Sequence, residues 1–517
     1  MPVWKARLPS LEMTAWLLAA AGMLFALGFR LSSNPAGLSS DDVSVGLNAR
    51  AIWRTGTDQY GTSFPLYFRA LDDWKSPIGL YVAAFTTALF GNDAVGVRAP
   101  SVLFVILTAA LLWWCVRELT GRAALARWMA LFSLQVPVVF LYGRLALVET
   151  SSLLALLMLG IAGVIAFSKR PTVRRAAVAG ALLGLATYTY AAARLLMPLA
   201  VATATAAFLL DRETRKKVWP LPAAAAIVAL PLAIFMLIHR GVLVARLNTM
   251  SVFGGGRTHL AGLKLFVENY FSHFAPDYLF RVGQQHHSHW HNFETGFLSL
   301  WMWIPLVLSF PYFWKRRREP FPLFLAVLVL LSSIPDSLTT DDVPHPNRWA
   351  FVAPVLVLIC ALVVADWLET AKPSRLVVGT LIAAVLFDGG LTLRKYFVDY
   401  PKVFEQDNGG GLDDGKGMAL QIAFADRHGR PMYLPPAFMD QALLGFWGDL
   451  DPKKLREGGP RAFGIFDGER APHDQVISGS IWIAGGDDRP PFPADRLGSI
   501  DRHYTQGTPY WVIYRKR

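Results

Sequence analysis

Long apolar stretches separated by short polar segments fill the first three quarters of the chain. The pattern predicts a polytopic α-helical membrane protein, because about eleven stretches are close to the roughly 20 residues that a membrane-spanning helix needs. Another stretch, Ser76 to Phe90, is too short to span comfortably, so we interpret it as an interfacial or re-entrant helix. The eleven stretches are residues 14–31, 99–116, 127–142, 150–167, 176–192, 195–210, 218–238, 296–314, 320–334, 349–367 and 375–392.

Basic residues cluster in the short segments between these stretches, as at Lys169-Arg170 and from Lys315 to Arg318. If the N-terminus is cytoplasmic, the clusters all lie on the inner side, as the positive-inside rule predicts. The acidic and histidine-rich loops then face the opposite compartment. These predicted outer loops are 32–98, 239–295 and 335–348.

The composition changes after Leu393 to a polar sequence with only short apolar runs. We therefore predict two units: a transmembrane domain at residues 1–393 and a soluble domain at 394–517. Short alternating runs around a helix at Gln441 to Trp447 indicate an α/β or α+β fold for the second unit. Charge parity predicts that this unit is extracytoplasmic.

The composition fits a bilayer protein and excludes other classes. Hydrophobic residues make up 53% of the chain and charged residues 17%, with a mean hydropathy of +0.36. The net charge of +12 comes from the inner clusters, so we expect no nucleic-acid partner. Cys115 and Cys360 both lie in apolar runs, which supports neither a disulfide framework nor a cysteine metal site.

Asp41 and Asp42 open the first outer loop, directly after the first predicted span. A carboxylate at the bilayer edge suits a general base that deprotonates an acceptor hydroxyl while a lipid-linked substrate keeps its tail in the membrane. The alternative is that one of the pair caps the helix that follows. Both interpretations remain open for different members of the pair.

Other charged residues are predicted on the same side. Lys75 is suited to binding phosphate or to reaching lipid headgroups. Arg144 and Glu149 lie in a short outer loop, where they face a cavity or form an ion pair. Arg348, with His345 nearby, lies at the outer mouth of the tenth span and is suited to phosphate or headgroup contact.

Four histidines lie close together in loop 239–295, where imidazoles could bind a divalent metal. No cysteine accompanies them, so we predict no firm cofactor and leave a metal site open. The four are His286, His287, His289 and His291.

Six segments, in this order, resemble the GT-C superfamily. The likeness is to its protein-mannosyltransferase-like and aminoarabinose-transferase-like group, of the glycosyltransferase family 39 type. Asp42 stands where that group usually has Glu, and Ser76 where it commonly has Pro. The segments are DDVSVGLNARAIWRTGTDQYG, DDWKSPIGLYV, GNDAVGVRAPSVLF, GRLALVET, ENYFSHFAPDYLF with His289, and SIPDSLTTDDVPHPNR.

The resemblance implies an inverting transfer from a polyprenyl-phosphate sugar to an acceptor hydroxyl, with Asp41 as the base. Asp42 and Glu149 are the further catalytic candidates. The implied contacts to the donor phosphate are Lys75, Arg144, Arg348 and His345. The implied additional substrate contacts are Tyr60, Asp73 and His289.

The implied partners are the lipid-linked sugar, membrane lipids and an acceptor that is a glycan, a lipid or a protein. The expected location is a bacterial plasma membrane, with the active site and the C-terminal domain on the periplasmic side of the cell envelope. Two alternatives remain: another lipid-carrier enzyme of the O-antigen ligase type, or a transporter or flippase. The gathering of ionisable residues on one face favours an enzyme over a transporter.

Overall fold

The computed structural model of the chain describes residues 11–35, 37–70, 73–239, 250–283, 295–402, 416–469, 476, 478–485, 488–500 and 511–517. The helices before residue 240 are α1 (Leu11–Gly28), α2 (Ser40–Thr55), α3 (Pro77–Phe90), α4 (Ala94–Thr120), α5 (Ala123–Gln135), α6 (Pro137–Tyr142), α7 (Val148–Lys169), α8 (Val173–Ala186), α9 (Ala193–Leu209) and α10 (Pro220–Ile238).

The helices after residue 250 are α11 (His259–Ser272), α12 (Pro276–Phe280), α13 (Trp303–Lys315), α14 (Pro320–Ser332), α15 (Ile334–Ser337), α16 (Pro346–Trp349), α17 (Val352–Thr370), α18 (Arg375–Arg394), α19 (Lys416–Arg427), α20 (Gln441–Trp447) and α21 (Pro452–Gly458). Short 3₁₀ turns occur at Leu300–Met302, Pro436–Phe438 and Pro460–Phe463, and a π-helical turn at Lys395–Asp399 extends α18.

Each predicted span falls on helix, and the polytopic helical fold is confirmed. The stretch 127–142 is divided between α5 and α6, because Pro137 lacks the backbone N–H that a continuous helix would need there. α3 and α9 are shorter apolar helices. In the described part of the chain, seven helical segments are long and apolar enough to cross a membrane: Leu11–Gly28, Ala94–Thr120, Val148–Lys169, Pro220–Ile238, Pro320–Ser337, Val352–Thr370 and Arg375–Lys402.

The centre of the membrane part is α7, whose side chains are almost all buried against α4, α8 and α17. Glycines let α8 approach its neighbours closely. A Cβ on Gly180 would lie 1.9 Å from the Leu221 carbonyl oxygen of α10, and one on Gly163 would lie 2.9 Å from Ala179 Cα. Helices in lipid are not driven together by the hydrophobic effect, so they depend on close van der Waals packing. The small residues at these crossings permit that packing.

The outer loop after α1 folds back on the membrane domain. It contains α2 and a two-stranded antiparallel hairpin, β1 (Phe68–Ala70) with β2 (Asp73–Lys75), which leads directly into α3. α2 packs against α3, and α3 packs against α4 and α7. The start of α2, the end of β2 and the start of α7 therefore lie at one end of the bundle.

The C-terminal region forms a mixed sheet with helices, in agreement with the predicted α/β or α+β class. Among the described residues its strand order is β4-β3-β5-β7-β6, with β3 parallel to β4 and β5 and the other pairs antiparallel. The strands are β3 (Met432–Leu434), β4 (Ile465–Asp467), β5 (Ile481–Gly485), β6 (Ala494–Ile500) and β7 (Trp511–Lys516).

The predicted helix at Gln441 to Trp447 is present as α20, and it packs on α2. Gly46 of α2 makes room for the Phe446 ring, and Arg50 donates to the carbonyl oxygens of Gly445 (2.6 Å) and Leu450 (3.2 Å). Apolar side chains of both units share one core. The sheet domain therefore supports the outer loop.

Candidate active site

A cavity of about 700 Å³ opens where the start of α2, the end of β2 and the starts of α7 and α9 meet α16. Its lining mixes charged side chains with apolar ones from α9 and α10. Most of the residues predicted as catalytic or phosphate-binding lie on its wall. Those residues are Asp41, Asp42, Lys75, Glu149, His345 and Arg348.

The two adjacent aspartates have different surroundings. Ser39 is the N-cap of α2: its hydroxyl accepts from Asp42 N–H (3.2 Å), and Asp42 Oδ2 accepts from Ser39 N–H (3.0 Å). This reciprocal capping box leaves the Asp42 side chain 3% exposed, and burial raises the pKa of its carboxyl group. The Asp41 side chain is 54% exposed. Asp41 therefore has the accessible carboxylate.

Lys75 ends the β1–β2 hairpin, which directs its side chain towards the start of α2. Its Nζ lies 3.1 Å from Asp41 Oδ1, and its side chain is only 11% exposed. Antiparallel pairing of Phe68 with Lys75 fixes the backbone of this residue. The hairpin thus holds a cation beside the accessible aspartate.

Glu149 lies in the first turn of α7, where a carboxylate is favoured by the helix dipole. Its Oε1 accepts a 2.6 Å hydrogen bond from the backbone N–H of Ser76, the residue after Lys75. This contact ties the start of α7 to the hairpin. Glu149 therefore fixes the segment that carries Lys75.

Arg348 lines the opposite side of the cavity and is held by carboxylates. It donates to Asp336 Oδ1 (3.1 Å) and Asp341 Oδ2 (2.8 Å), and also to the Thr339 hydroxyl (2.8 Å). Asp336 is completely buried and also contacts His273 Nε2 at 3.0 Å. The charge of Arg348 is therefore met within the protein.

His345 precedes the short helix α16 and is buried. Its backbone N–H donates to Asp336 Oδ2 (2.7 Å), and its Nδ1 accepts from Asn347 N–H (3.2 Å). Burial, together with the charge of Arg348, lowers the pKa of this imidazole. A neutral ring that accepts at Nδ1 carries its proton on Nε2.

Arg144 lies outside the cavity lining, unlike its predicted place among the phosphate contacts. Its guanidinium is fully buried and donates to the carbonyl oxygens of Ala26, Leu27, Phe29 and Asn34, at 2.6 to 3.1 Å. The last carbonyls of a helix have no partner within the helix. Arg144 supplies those partners at the end of α1, which is the physical reason for its position.

Arg98 of α4 has a related contact, which the sequence analysis did not identify. It is fully buried and donates to the carbonyl oxygens of Leu31 (2.7 Å) and Gly37. Tyr396 adds a hydroxyl bond to the Asn34 carbonyl oxygen (3.0 Å). These contacts fix the segment between α1 and α2, and so they position Asp41.

The remaining predicted substrate contacts are not brought together by the described structure. Tyr60 lies under Arg69, whose guanidinium carbon is 4.7 Å from the ring centroid, and is outside the cavity lining. Asp73 pairs through its backbone with Ala70, and its role stays a prediction. Among the described residues, no group of three or more His, Cys, Asp or Glu could hold a metal. Outside them lie His286, His287, His289 and His291.

The cavity also contains residues that the sequence analysis did not single out. Arg194 of α9 donates from Nε to the Tyr67 hydroxyl (3.3 Å), and that hydroxyl lies 3.3 Å from Ser76 Oγ. Burial raises the pKa of Tyr67. Phe235 of α10 stacks on Tyr67, with ring centroids 5.5 Å apart. An arginine at the outer start of an apolar stretch was the available signal, the same signal that drew attention to Arg348.

A family model described as dolichyl-phosphate-mannose-protein mannosyltransferase matches residues 74–239. The matched segment contains Lys75, Glu149 and Arg194. No curated protein matches the chain significantly by sequence.

Solved structures match over nearly the whole chain. ArnT from Cupriavidus metallidurans bound to undecaprenyl phosphate has 13% identity and a TM-score of 0.58, with 97% of each chain covered. The apo state of that protein has 13% identity and a TM-score of 0.55, with 97% of this chain and 98% of the other covered. A third structure is the oligosaccharyltransferase AglB from Archaeoglobus fulgidus, in complex with an inhibitory peptide and a dolichol-phosphate. It has 12% identity and a TM-score of 0.48, with 91% of this chain and 69% of the other covered.

The chain is therefore a multi-pass membrane protein with the fold of the GT-C glycosyltransferases. The resemblance predicted from the six sequence segments is confirmed. Within the GT-C class, the matched segment resembles the protein-mannosyltransferase-like, family 39 type.

Proposed function

We propose that this protein transfers a sugar from a polyprenyl-phosphate donor to an acceptor hydroxyl on the extracytoplasmic side of the membrane, with inversion at the anomeric carbon. The observation that carries the proposal is the pair of Asp41 and Lys75. An accessible carboxylate and a cation lie 3.1 Å apart on the wall of a cavity, at the end of a bundle of membrane-spanning helices.

The chemistry requires one base and a stabilised leaving group. Asp41 takes the proton of the acceptor hydroxyl as its oxygen forms the new bond to the anomeric carbon. The bond between that carbon and the phosphate oxygen breaks, and its electron pair leaves with the lipid phosphate. Lys75 lies beside the base, where it offsets the charge that develops on the phosphate.

The other charged residues support this arrangement. Glu149 positions the Lys75 segment through Ser76, and Asp42 fixes the start of α2 through Ser39. Arg348 and His345 form the opposite wall, with Arg348 ordering the loop through Asp336. We assign Arg144 to positioning the end of α1 and no longer to phosphate binding.

The lipid nature of the donor has independent support. The ArnT structure that resembles this chain over 97% of its length is bound to undecaprenyl phosphate. The cavity here is bordered by apolar side chains of α9 and α10, including Leu195, Leu232 and Met236. Such a border suits a polyprenyl tail that continues into the bilayer.

The direct test is a transfer assay with the full-length protein in lipid nanodiscs. Undecaprenyl-phosphate sugars are offered one at a time with extracted envelope lipids, glycans and proteins as acceptors, and products are analysed by mass spectrometry. We expect a mass increase of one sugar on one acceptor class, with release of undecaprenyl phosphate. Release of water-soluble free sugar without any acceptor product would contradict transferase activity.

We also propose that the cavity and the C-terminal domain face the periplasm of a bacterial plasma membrane, on the basis of charge parity. Two exposed glutamates test this: Glu213 in a predicted inner segment and Glu457 on α21. The native Cys115 and Cys360 are buried, so single Glu→Cys variants give the main labelling signal. A membrane-impermeant maleimide added to intact spheroplasts should label the Glu457→Cys variant alone. Labelling of only the Glu213→Cys variant would reverse the topology.

A further inference from the structure

Arg194 is a cation on the cavity wall that has no role in the proposed reaction so far. It is the second residue of α9, and its guanidinium carbon lies 4.7 Å from the centroid of the Tyr67 ring. Its hydrogen bond is the one from Nε to the Tyr67 hydroxyl (3.3 Å). In the part of the chain that the structure describes, no carboxylate forms an ion pair with it.

This surrounding differs from that of the other two arginines at this end of the bundle. Arg144 donates from both of its terminal nitrogens to backbone carbonyls, and Arg348 is held by two carboxylates. A partly buried guanidinium beside a bilayer is costly unless an opposite charge or a cavity faces it. Arg194 faces the cavity. An anion that enters the cavity would therefore gain more from Arg194 than from Arg348.

The position of Arg194 relates it to the proposed reaction centre. The Tyr67 hydroxyl that holds Arg194 also contacts Ser76 Oγ at 3.3 Å, and Ser76 directly follows Lys75. Arg194 and Lys75 therefore border the same stretch of wall, with Tyr67 and Ser76 between them. Two cations on one stretch of wall suit a phosphate group.

The apolar neighbours of Arg194 indicate which kind of phosphate fits. Leu195 follows it on α9, and Phe235 and Met236 line the cavity from α10. The outward side of α10 near these residues is exposed, with Ile234 at 48% and Ile238 at 72%. In a membrane protein such an apolar surface faces lipid. A phosphate at Arg194 thus lies where a lipid tail can continue between the helices into the bilayer.

We propose that Arg194, held in place by Tyr67, binds the phosphate of the polyprenyl-phosphate donor and retains it as the leaving group. This inference rests on the proposed function and adds a residue to it. When the bond between the anomeric carbon and the phosphate oxygen breaks, the electron pair stays on that oxygen. Arg194 and Lys75 together offset the resulting charge, and the acceptor proton goes to Asp41.

The test is a binding measurement that needs neither the sugar nor the acceptor. Full-length protein in nanodiscs is titrated with undecaprenyl phosphate, with undecaprenol, which lacks the phosphate, and with inorganic phosphate. The variants are Arg194→Met, Arg194→Lys and Tyr67→Phe. The matched control is Arg281→Met, which removes an exposed arginine that pairs with Asp277 in a predicted outer loop.

Arg194→Met should weaken undecaprenyl phosphate binding about ten- to a hundredfold, the range for a lost hydrogen bond to a charged group. Undecaprenol binding should stay at the wild-type level in the same variant, which shows that the protein is folded. Arg194→Lys should retain part of the affinity, because a cation remains. Tyr67→Phe should weaken undecaprenyl phosphate binding a few fold, because the Arg194 guanidinium loses its hydroxyl partner while the aromatic ring remains. The Arg281→Met control should bind like the wild type.

The remaining outcomes separate the two proposals. If the wild type binds undecaprenyl phosphate and Arg194→Met binds it equally well, the assignment of Arg194 is wrong while the donor class stands. Equal wild-type affinity for undecaprenol and undecaprenyl phosphate also overturns the assignment, because the phosphate is then not recognised. Competition by inorganic phosphate without any effect of the tail would indicate a soluble phosphate ligand and would overturn the lipid donor. If the wild type binds none of the three probes, both proposals fail.

Discussion

Two sides of the cavity each carry a partly buried arginine, and the two arginines differ in what neutralises them. One side is formed by α15, the loop after it and α16, and the other by β2 and α9. Arg348 is held by Asp336, which is 0% exposed, and by Asp341. Arg194 is held by the uncharged hydroxyl of Tyr67. On the first side the charge of Arg348 is neutralised by carboxylates of the protein itself. On the second side the charge of Arg194 is available to an anionic ligand.

The difference separates a structural region from a reactive one. A buried ion pair with further hydrogen bonds fixes geometry and is expensive to break. The contact of Asp41 with Lys75 is of another kind, because the Asp41 carboxylate is 54% exposed and can exchange partners. We therefore propose that the chemistry takes place on the β2–α9 side and that the α15–α16 side holds the cavity open.

The largest expected effect is on the reactive side. Asp41→Asn removes the proposed base but keeps the shape of the side chain, so sugar transfer should fall about a thousandfold. Asp42→Asn should lower the rate of sugar transfer only a few fold, because an amide oxygen can still accept from Ser39 N–H in the cap. Initial rates in the nanodisc transfer assay give both values, with undecaprenol binding as the control for folding.

The difference in transfer rate between the two variants decides which aspartate is the base. If Asp42→Asn abolishes transfer and Asp41→Asn does not, the assignment of the base is reversed. Equal, moderate losses in both variants would mean that the capped start of α2 matters as a unit and that neither carboxylate is the base.

The next effect is on stability and lies on the structural side. Arg348→Met leaves the buried Asp336 without its guanidinium partner, which should lower the free energy of unfolding by about 3 kcal/mol. Arg194→Met breaks no ion pair among the described residues and should cost less than about 1 kcal/mol. Thermal unfolding of the detergent-solubilised full-length protein measures both changes.

The double variant of Arg348→Met with Asp336→Asn supplies the control. Removing both charges should be less destabilising than the sum of the two single changes, because no unpaired charge stays buried. Strict additivity would show that the two side chains are not coupled. A larger loss in Arg194→Met than in Arg348→Met would reverse the comparison between the two sides.

The sequence predicted the helices well, because span length and apolar composition are local properties of the chain. Charge parity also predicted that Asp41, Lys75, Glu149 and Arg348 lie on one face, and the structure brings them to one cavity. The sheet domain was predicted only as a class, because its strands pair in the order β4-β3-β5-β7-β6 across long separations in sequence.

The roles of the arginines could not be predicted in the same way. Arg144, Arg194 and Arg348 all lie near the predicted outer ends of apolar stretches, so their local sequence signals are similar. What distinguishes them is tertiary: carbonyls at the end of α1, a phenol, or buried carboxylates. The capping of α2 was different, because one of the two aspartates was already predicted as a possible cap of this helix. The structure shows Ser39 as the N-cap and Asp42 as the acid three residues later, which is the capping-box signature.

The smallest expected effect concerns the capped aspartate and the pH dependence of stability. Because burial raises the pKa of Asp42, the folded protein holds its proton more tightly than the unfolded chain does. The stability that this proton contributes is therefore present at low pH and is lost as the pH rises through the raised pKa. Each unit of pKa difference corresponds to about 1.4 kcal/mol.

Asp42→Asn has no such titration, so it is the matched reference for the wild type. The unfolding temperature of the variant relative to the wild type should increase between about pH 4 and pH 8, because only the wild type has to bury a charge at the upper end. Melting curves of both proteins in the same buffers give the difference directly, and other titrations cancel. If the unfolding temperature of the variant relative to the wild type instead decreases as the pH rises, the folded protein stabilises the charged form of the Asp42 carboxylate. Arg98, which attracts that charge, would then outweigh burial, and Asp42 would belong with Asp336 among the charges that the protein itself neutralises.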